Sequence, residues 1–248
     1  MSGKALRLRR IFKENGKTVI VALDHGQFQG PLEGIYNMRE TLQNIVSGFP
    51  DGLILNPGIV TKHYDIIAGK TSVIVRISGA STILNPIFDY HRLTTSVEHA
   101  LYIGGDAVIV MGFIGGEGER FSYELVGKIA EKCDKYGVPL FVEVIPQDTK
   151  HFMNPDYILT GARAAYELGA DVLKVYYTDR ESFRKIVDTV SIPVVIAGGS
   201  KDKDALTTVK EALEMGAKGV AFGRNVFQAY DPAEYVKELM NIVHLKGG

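Results

Sequence analysis

The sequence lacks the features that would assign it to a disulfide-rich, membrane or nucleic-acid-binding class. Cys133 is the only cysteine, so no intrachain disulfide can form and a cysteine-rich zinc site is excluded. No apolar run reaches the length of a membrane helix or follows the N-terminus as in a signal peptide, so we expect a cytoplasmic protein. With 28 Lys and Arg against 29 Asp and Glu, no global field favours nucleic acid or an anionic membrane.

Cofactor and metal signatures are lacking as well. Neither a Gly-x-Gly-x-x-Gly turn nor a Gly-Lys-Ser/Thr loop follows the first apolar run, so neither a dinucleotide nor a P-loop nucleotide site is expected. The six histidines include no close pair at helical ligand spacing, so a metal site is not indicated. The sequence therefore demands no bound cofactor.

Eight short apolar runs, bounded by turn residues, dominate what the sequence does contain. Most are continuous in Val, Ile, Leu and Phe, as in parallel strands covered on both faces, and amphipathic stretches separate the later ones. Since 248 residues is about the length of one eight-fold barrel, we predict a single α/β domain over 1–248, a (β/α)₈ TIM barrel with a helical lead-in at 1–15. An open doubly wound sheet is the alternative. The predicted strands are 18–23, 52–55, 72–77, 107–111, 140–144, 172–175, 193–197 and 219–222, and the predicted helices are 123–136, 157–168, 181–190, 204–215 and 232–243.

Two local features receive no functional role from the sequence. The basic cluster of Lys4, Arg7, Arg9 and Arg10 fits an anion-binding arm, but the solvated face of a short leading helix is favoured. Cys133 lies in a helical pattern beside charged residues and has no neighbouring base, so we do not expect a catalytic thiol.

Lys174 is the first candidate for chemistry, because catalytic groups of a β/α barrel lie at the carboxyl ends of its strands. It interrupts an apolar run, where burial would lower the pKa of the lysine and yield the free amine that attacks a carbonyl. The alternative is a structural lysine that pairs with a carboxylate or extends its amine from the strand end. Position alone supports this alternative and a nucleophilic lysine equally.

Four further polar residues fall within or just after predicted strands. Asp24 is a candidate acid/base for iminium chemistry, although an aspartate after a strand is often a turn or cap residue. His25 could serve the substrate or simply hydrogen-bond to backbone. Glu143 could exchange protons with the substrate or pair with the lysine, and Arg76 could bind a substrate anion, with a structural ion pair as the alternative for both.

The glycine-rich segments after the seventh and eighth runs are the most specific local signal. Backbone N–H groups converge in these loops of β/α barrels and commonly bind phosphate. We therefore predict that Gly198, Gly199, Ser200, Gly223 and Arg224 bind a substrate phosphate, with tight turns as the alternative use of the glycines.

These segments give the chain a family resemblance over nearly its whole length. Asp24-His25-Gly26 and Lys174-Val175-Tyr176-Tyr177 are similar to motifs of the class I aldolases, a family that includes archaeal-type fructose-bisphosphate aldolases and a thiolase acting on a phosphorylated autoinducer. The resemblance implies a Schiff base on Lys174, Asp24 as acid/base, a small phosphorylated carbonyl substrate and a homo-oligomer, often a decamer. It is strongest toward the thiolase branch, which uses coenzyme A as co-substrate.

Ile145 departs from the family pattern. The archaeal aldolases carry a tyrosine proton donor at the matching position, and isoleucine cannot move a proton, although Glu143 could substitute. We therefore expect thiolase-like cleavage of a C–C bond in a small phosphorylated ketose or diketone. The alternatives are a fructose-bisphosphate or related sugar-phosphate aldolase, a non-covalent sugar-phosphate isomerase, and a phosphate-ligand sensor without turnover.

Overall fold

Eight parallel strands close into a barrel, in which each strand pairs with the next along the chain and the last pairs with the first. The computed structural model describes residues 2–85, 90–147, 150–198 and 204–245. All eight predicted runs form strands, which confirms the (β/α)₈ barrel. The strands are β1 Thr18–Ala22, β2 Gly52–Leu55, β3 Ser72–Arg76, β4 Ala107–Ile114, β5 Leu140–Pro146, β6 Val172–Tyr176, β7 Val194–Ala197 and β8 Gly219–Phe222.

Helices occupy the connections between the strands, and the five predicted helices are present within about four residues of their predicted ends. The start of the last helix follows from its sequence, because Asp231 accepts a hydrogen bond from the Glu234 amide at 3.1 Å and Pro232 takes the first turn. Within the described ranges, no helix is both long and apolar enough to span a membrane. The helices are α1 Ser2–Ile11, α2 Gly26–Gln29, α3 Met38–Ser47, α4 Pro57–Lys62, α5 Tyr64–Ile67, α6 Val97–Tyr102, α7 Glu119–Tyr136, α8 Pro155–Glu167, α9 Arg180–Thr189, α10 Ala205–Glu214, α11 Arg224–Phe227 and α12 Pro232–Met240, followed by a π-helical turn Asn241–Leu245.

Side chains along each strand alternate between two apolar cores, one inside the barrel and one between the barrel and its helices. Burial of each aliphatic side chain contributes roughly 1.5–3 kcal/mol, so both cores stabilise the fold. Because successive residues of a strand face opposite sides, Lys174 shares the interior side with Val172, and Glu143 shares it with Phe141. The interior core consists of Ile11, Phe12, Ile20, Ala22, Ile54, Ile74, Ala107, Ile109, Phe141, Val172, Val195 and Ala221.

Helix α1 lies across the amino end of the barrel, where Ile11 and the following Phe12 join the interior core. The Lys4 ammonium lies 2.5 Å from Asp134 and 2.8 Å from Asp171, and its side chain is only 15% exposed. The solvated face that the sequence favoured for this basic cluster is therefore wrong for Lys4, which pairs with a carboxylate of α7 and with Asp171, the residue before β6.

Three aspartates at the amino ends of strands share one structural use. Each accepts a hydrogen bond from the first backbone N–H groups of a neighbouring strand, which satisfies a donor that the sheet leaves unpaired. The pairs are Asp51 with Val19 at 2.7 Å, Asp106 with Val73 at 3.1 Å, and Asp171 with Leu140 at 2.8 Å.

Candidate active site

Four charged side chains form a continuous network across the carboxyl half of the barrel interior. The Lys174 ammonium lies 2.6 Å from Oε1 of Glu143, and Oε2 of the same carboxylate accepts a hydrogen bond from Arg76. The Nε of Arg76 donates to Asp24 at 2.7 Å. None of the four residues is more than 5% exposed, so the network is largely shielded from solvent.

The strand register brings the lysine and the glutamate together. Glu143 of β5 and Lys174 of β6 are direct partners in the parallel pairing, and both lie on the interior side. Side chains at the same level of adjacent strands start about 5 Å apart, so an ammonium and a carboxylate there meet without distortion of the backbone. Arg76 reaches the pair from β3, and Asp24 follows β1.

Both carboxyl groups of the network are ionised at neutral pH. Burial alone would raise the pKa of Asp24, but the positive charge of Arg76, helped by His25 and Lys174, outweighs burial and lowers the pKa to about 2. Burial likewise opposes ionisation of Glu143, and the charges of Lys174 and Arg76 hold its pKa below the usual range. Each carboxylate can therefore accept a proton, and neither carries one to donate.

His25 links the network to the loop after β8. Its Nδ1 lies 3.6 Å from a carboxylate oxygen of Asp24, and burial lowers the pKa of the imidazole more than that carboxylate raises it. The ring also lies against Gly223, where a Cβ atom would come within 2.3 Å of the imidazole. A residue larger than glycine at this position would displace His25, so the glycine is required by packing.

A cavity of about 440 Å³ lies above β6, β7 and β8, and one of the predicted phosphate residues, Gly198, lines it. Gly198 faces Asn225, whose Oδ1 would lie 2.5 Å from a Cβ at the glycine position. Asn225 is 7% exposed, and this oxygen has no hydrogen-bond partner within the described part of the chain. Gly199 and Ser200 lie outside the described residues. The cavity is lined by residues that include Phe152, Tyr176, Ala197, Gly198, Phe222 and Asn225.

An apolar layer covers the network on the side of β4 and β5. Phe28, Met111 and Phe113 form a buried cluster against which Ile145 packs. The Arg76 guanidinium lies over the Phe28 ring, 5.9 Å from its centre. The position where the resemblance expected a proton donor is therefore part of a hydrocarbon surface. The sequence analysis missed this layer, although the alternation of large apolar residues in β4 could have indicated it.

A second cavity, of about 720 Å³, opens between the loops that follow β1 and β2, and its lining is mainly apolar. Leu23, Ile35 and Pro57 contribute to the lining, and Lys62 lies at the exposed end of α4. Asn56, which also lines this cavity, donates a hydrogen bond to the backbone oxygen of Asp24 at 2.9 Å. The cavity therefore adjoins the Asp24 end of the network.

The structure brings Lys174, Glu143, Arg76 and Asp24 into direct contact, with His25 beside them. The ion-pair alternative is realised for Glu143 and Arg76, since each pairs with two oppositely charged groups of the network. Within the described residues, no group of His, Cys, Asp and Glu side chains has an arrangement that could hold a metal ion.

A closed barrel with buried ionisable groups at the carboxyl ends of its strands has the architecture of a barrel enzyme. Residues 18–229 match the sequence model of the DeoC/LacD family aldolases. The chain is also 39% identical over 246 residues to the 2-amino-3,7-dideoxy-D-threo-hept-6-ulosonate synthase 1 of Archaeoglobus fulgidus, covering 98% of this chain and 92% of that protein. The chain therefore belongs to the DeoC/LacD aldolase family, a family of lyases.

Two further relatives support this assignment. The 3-hydroxy-5-phosphonooxypentane-2,4-dione thiolase of Photorhabdus laumondii is 34% identical over 248 residues, covering 98% of this chain and 82% of that protein. An archaeal fructose-1,6-bisphosphate aldolase, solved with its catalytic lysine covalently bound to the carbinolamine intermediate of the substrate, superposes with a TM-score of 0.87 at 32% identity. The superposition covers 97% of this chain and 99% of that chain. The resemblance to class I aldolases is thereby confirmed.

Proposed function

We propose that this protein forms a Schiff base between Lys174 and the carbonyl carbon of a small phosphorylated ketone, and that a C–C bond of that ketone is then cleaved or formed. The observation that carries the proposal is the buried Lys174 ammonium 2.6 Å from the Glu143 carboxylate, inside the barrel. A carboxylate in contact with a shielded ammonium provides a route for removing the proton that blocks nucleophilic attack.

Each member of the network has a part in the proposed reaction. Glu143 accepts the proton of Lys174, and the free amine attacks the carbonyl carbon. Asp24, ionised at neutral pH, accepts a proton: in aldol cleavage that of the hydroxyl on the carbon β to the iminium, and in thiolase-like cleavage that of the coenzyme A thiol, whose sulfur adds to the acetyl carbonyl. In both cases the electron pair of the breaking C–C bond moves to the iminium nitrogen. Arg76 pairs with both carboxylates and so fixes the distance between them.

The phosphate group is assigned to the cavity above β6, β7 and β8. Gly198, which lines this cavity, is proposed to hold it together with Gly199, Ser200, Gly223 and Arg224, through backbone N–H groups and the guanidinium charge. His25, which lies between Gly223 and Asp24, is then within reach of a ketone whose phosphate occupies this cavity.

Within this class we favour thiolase-like cleavage, in which an acetyl group passes to coenzyme A. Two observations support it. The apolar layer around Ile145 suits an acetyl group, which needs few hydrogen bonds. The cavity of about 720 Å³ beside Asp24 is large enough for the pantetheine arm of coenzyme A. Aldol synthesis is the second candidate, because two relatives are named synthases and because this reaction shares the Schiff base and needs no coenzyme A.

Borohydride trapping tests the Schiff base. Incubation with dihydroxyacetone phosphate and borohydride should attach the reduced ketone to Lys174, as located by peptide mass spectrometry. The Lys174→Met variant should gain no adduct, and Lys128→Met, which removes an exposed lysine of α7, should be labelled like the unmodified protein. An isomerase or sensor without a covalent lysine would yield no adduct, and an adduct that persists in Lys174→Met would refute the assignment.

The dependence on coenzyme A separates the two candidate reactions. With 3-hydroxy-5-phosphonooxypentane-2,4-dione as substrate, thiolase-like cleavage predicts acetyl-coenzyme A formation and little turnover without coenzyme A. Equal product formation with and without coenzyme A would count against the thiolase, and release of dihydroxyacetone phosphate from fructose 1,6-bisphosphate without coenzyme A would favour an aldolase.

A further inference from the structure

Tyr176 occupies the same side of β6 as Lys174, two residues closer to the carboxyl end. Its ring packs 4.5 Å from that of Phe152, and it lines the cavity of about 440 Å³ beside Gly198. The side chain of Tyr176 therefore stands above the lysine, at the border between the buried network and the proposed phosphate site.

The hydroxyl of Tyr176 is within electrostatic range of both sites, because the charges of Glu143 and Arg224 both act on it. It makes no hydrogen bond to any of the residues that the structure describes. Tyr176 is only partly buried and its hydroxyl is open to the cavity, so this group is available to a molecule that enters there.

Before substrate binds, neither the carboxyl groups of the network nor His25 holds a proton to donate, and the proton that Glu143 then takes from Lys174 returns to the amine when the product leaves. Asp24 and Glu143 are ionised at neutral pH, and burial keeps the imidazole of His25 neutral. Burial, reinforced by the charge of Glu143, raises the pKa of Tyr176 above its ordinary value of 10.0, so the phenol stays protonated. Ile145, on the adjacent strand, packs in the apolar layer and offers no proton.

Formation of an iminium ion requires a proton donor, because the carbinolamine hydroxyl leaves as water only when it is protonated. We propose that Tyr176 is the general acid that protonates this hydroxyl. The proposal rests on the Schiff-base function of Lys174 and adds a catalytic residue to it.

In this step the phenol gives its proton to the carbinolamine oxygen, the C–O bond breaks with its electron pair on oxygen, and water leaves. The lone pair of the lysine nitrogen forms the C=N bond, and Tyr176 remains as a phenolate beside the positive iminium. After the C–C bond has reacted, water attacks the product iminium and the C=N electron pair returns to nitrogen. The phenolate takes a proton from that water, which restores Tyr176 for the next cycle.

Exchange of the ketone oxygen with solvent isolates this step from C–C chemistry. Each cycle of imine formation and hydrolysis replaces the carbonyl oxygen, so the protein should catalyse uptake of heavy oxygen by dihydroxyacetone phosphate in isotopically enriched water. Tyr176→Phe should lower the maximal exchange rate by about 100-fold, the usual contribution of a general acid. The ketone concentration that gives half-maximal exchange should stay near that of the unmodified protein.

Tyr166→Phe is the matched control, because Tyr166 lies on helix α8 with the Arg163 guanidinium 5.6 Å from its ring centre and lines neither cavity of the proposed site. This variant should exchange oxygen at the unmodified rate, and Lys174→Met should lose the catalysed exchange. A normal maximal rate in Tyr176→Phe, or a change confined to the half-maximal concentration, would overturn the role of Tyr176 and leave the Schiff base intact. Catalysed exchange that survives in Lys174→Met would instead overturn the proposed function.

Discussion

The two ends of the barrel use the same ion-pair chemistry in different ways. At the amino end, Asp106 and Asp171 accept hydrogen bonds from backbone N–H groups and also pair with cations of α1. At the carboxyl end, no described backbone N–H group donates to the carboxylates of Asp24 or Glu143, which are held by side chains alone. A carboxylate bound to backbone is fixed by the fold, whereas one bound only by side chains can exchange its partners with a substrate.

Burial sharpens this difference. Arg10, at the amino end, is 60% exposed, so water screens its pairing with Asp106. Arg76 at the carboxyl end is fully buried between two carboxylates, where removal of one charge leaves another without compensation. Substitutions at the carboxyl end should therefore affect both stability and activity, and those at the amino end should affect stability only, and less strongly.

The largest effect is expected for Glu143→Gln. This variant leaves two buried cations, Lys174 and Arg76, and only one buried carboxylate, Asp24, to balance them. The free energy of unfolding should fall by about 3 kcal/mol, and borohydride labelling of Lys174 should slow markedly. Urea unfolding followed by circular dichroism measures the first effect. Glu167→Gln, which removes a carboxylate paired with Arg163 on the exposed side of α8, is the control and should cost less than about 1 kcal/mol. Equal losses would mean that burial does not set the cost of losing an ion pair in this protein.

The second-largest effect is expected from acid, which should lower the free energy of unfolding by protonating Asp24 at the carboxyl end. The pKa of Asp24 is about 2 in the folded protein and 3.8 in the unfolded chain. Between these two pH values the unfolded chain binds a proton that the folded chain does not. This carboxylate therefore contributes roughly 2 kcal/mol of stability above pH 4, lost as the pH falls toward 2. Urea unfolding across this range should show a steeper fall for the unmodified protein than for Asp24→Asn, and parallel curves would contradict the prediction.

A smaller loss is expected for Asp171→Asn at the amino end. The amide oxygen can still accept the Leu140 N–H, and Lys4 keeps Asp134 as a partner, so only part of the ion pairing is lost. The free energy of unfolding should fall by about 1 kcal/mol with unchanged Lys174 labelling. Asp171→Ala, which also removes the backbone acceptor, should be the less stable of the two, and reduced labelling in Asp171→Asn would show that the ends are coupled.

The smallest effect is expected for Arg10→Ala. Its partner Asp106 keeps the hydrogen bond from Val73, and the guanidinium is largely exposed. The free energy of unfolding should change by about 0.5 kcal/mol, and the change should shrink in high salt. A loss as large as that of Glu143→Gln would abolish the distinction between the ends.

The strands could be predicted because the property that specifies them is local. A parallel strand buried on both faces is a continuous apolar run, and each of the eight runs is visible without knowledge of its neighbours. Short segments were missed for the same reason. The turns of helix α2 and α4, and the small antiparallel pair Ser78–Gly79 with Arg92–Leu93, are too short to establish a period and depend on contacts with the barrel rim.

The sequence predicted which residues belong to the candidate site, but it did not predict which of them contact each other. Lys174, Glu143 and Arg76 were identified because they interrupt apolar strands. Burying a charged side chain there costs free energy unless the charge is paired or used in binding or catalysis. The sequence left an anion site and an ion pair equally open for Arg76, and the structure gives it two carboxylate partners. Tyr176 was noted only as part of a motif. Whether its hydroxyl has a hydrogen-bond partner depends on the residues that surround it in the folded chain, which the sequence does not show.

The number and order of the strands, and the ionisable residues that they carry, follow from the sequence alone. Each strand is a continuous apolar run that can be read without knowledge of the rest of the chain. Closure of the barrel decided which of those residues meet. It joins Asp24 to Lys174 through two intermediate strands, although 149 other residues separate them in sequence. Protonation follows from that closure, because burial and the charges that closure brings near each group, and not its place in the sequence, determine whether it holds or releases a proton.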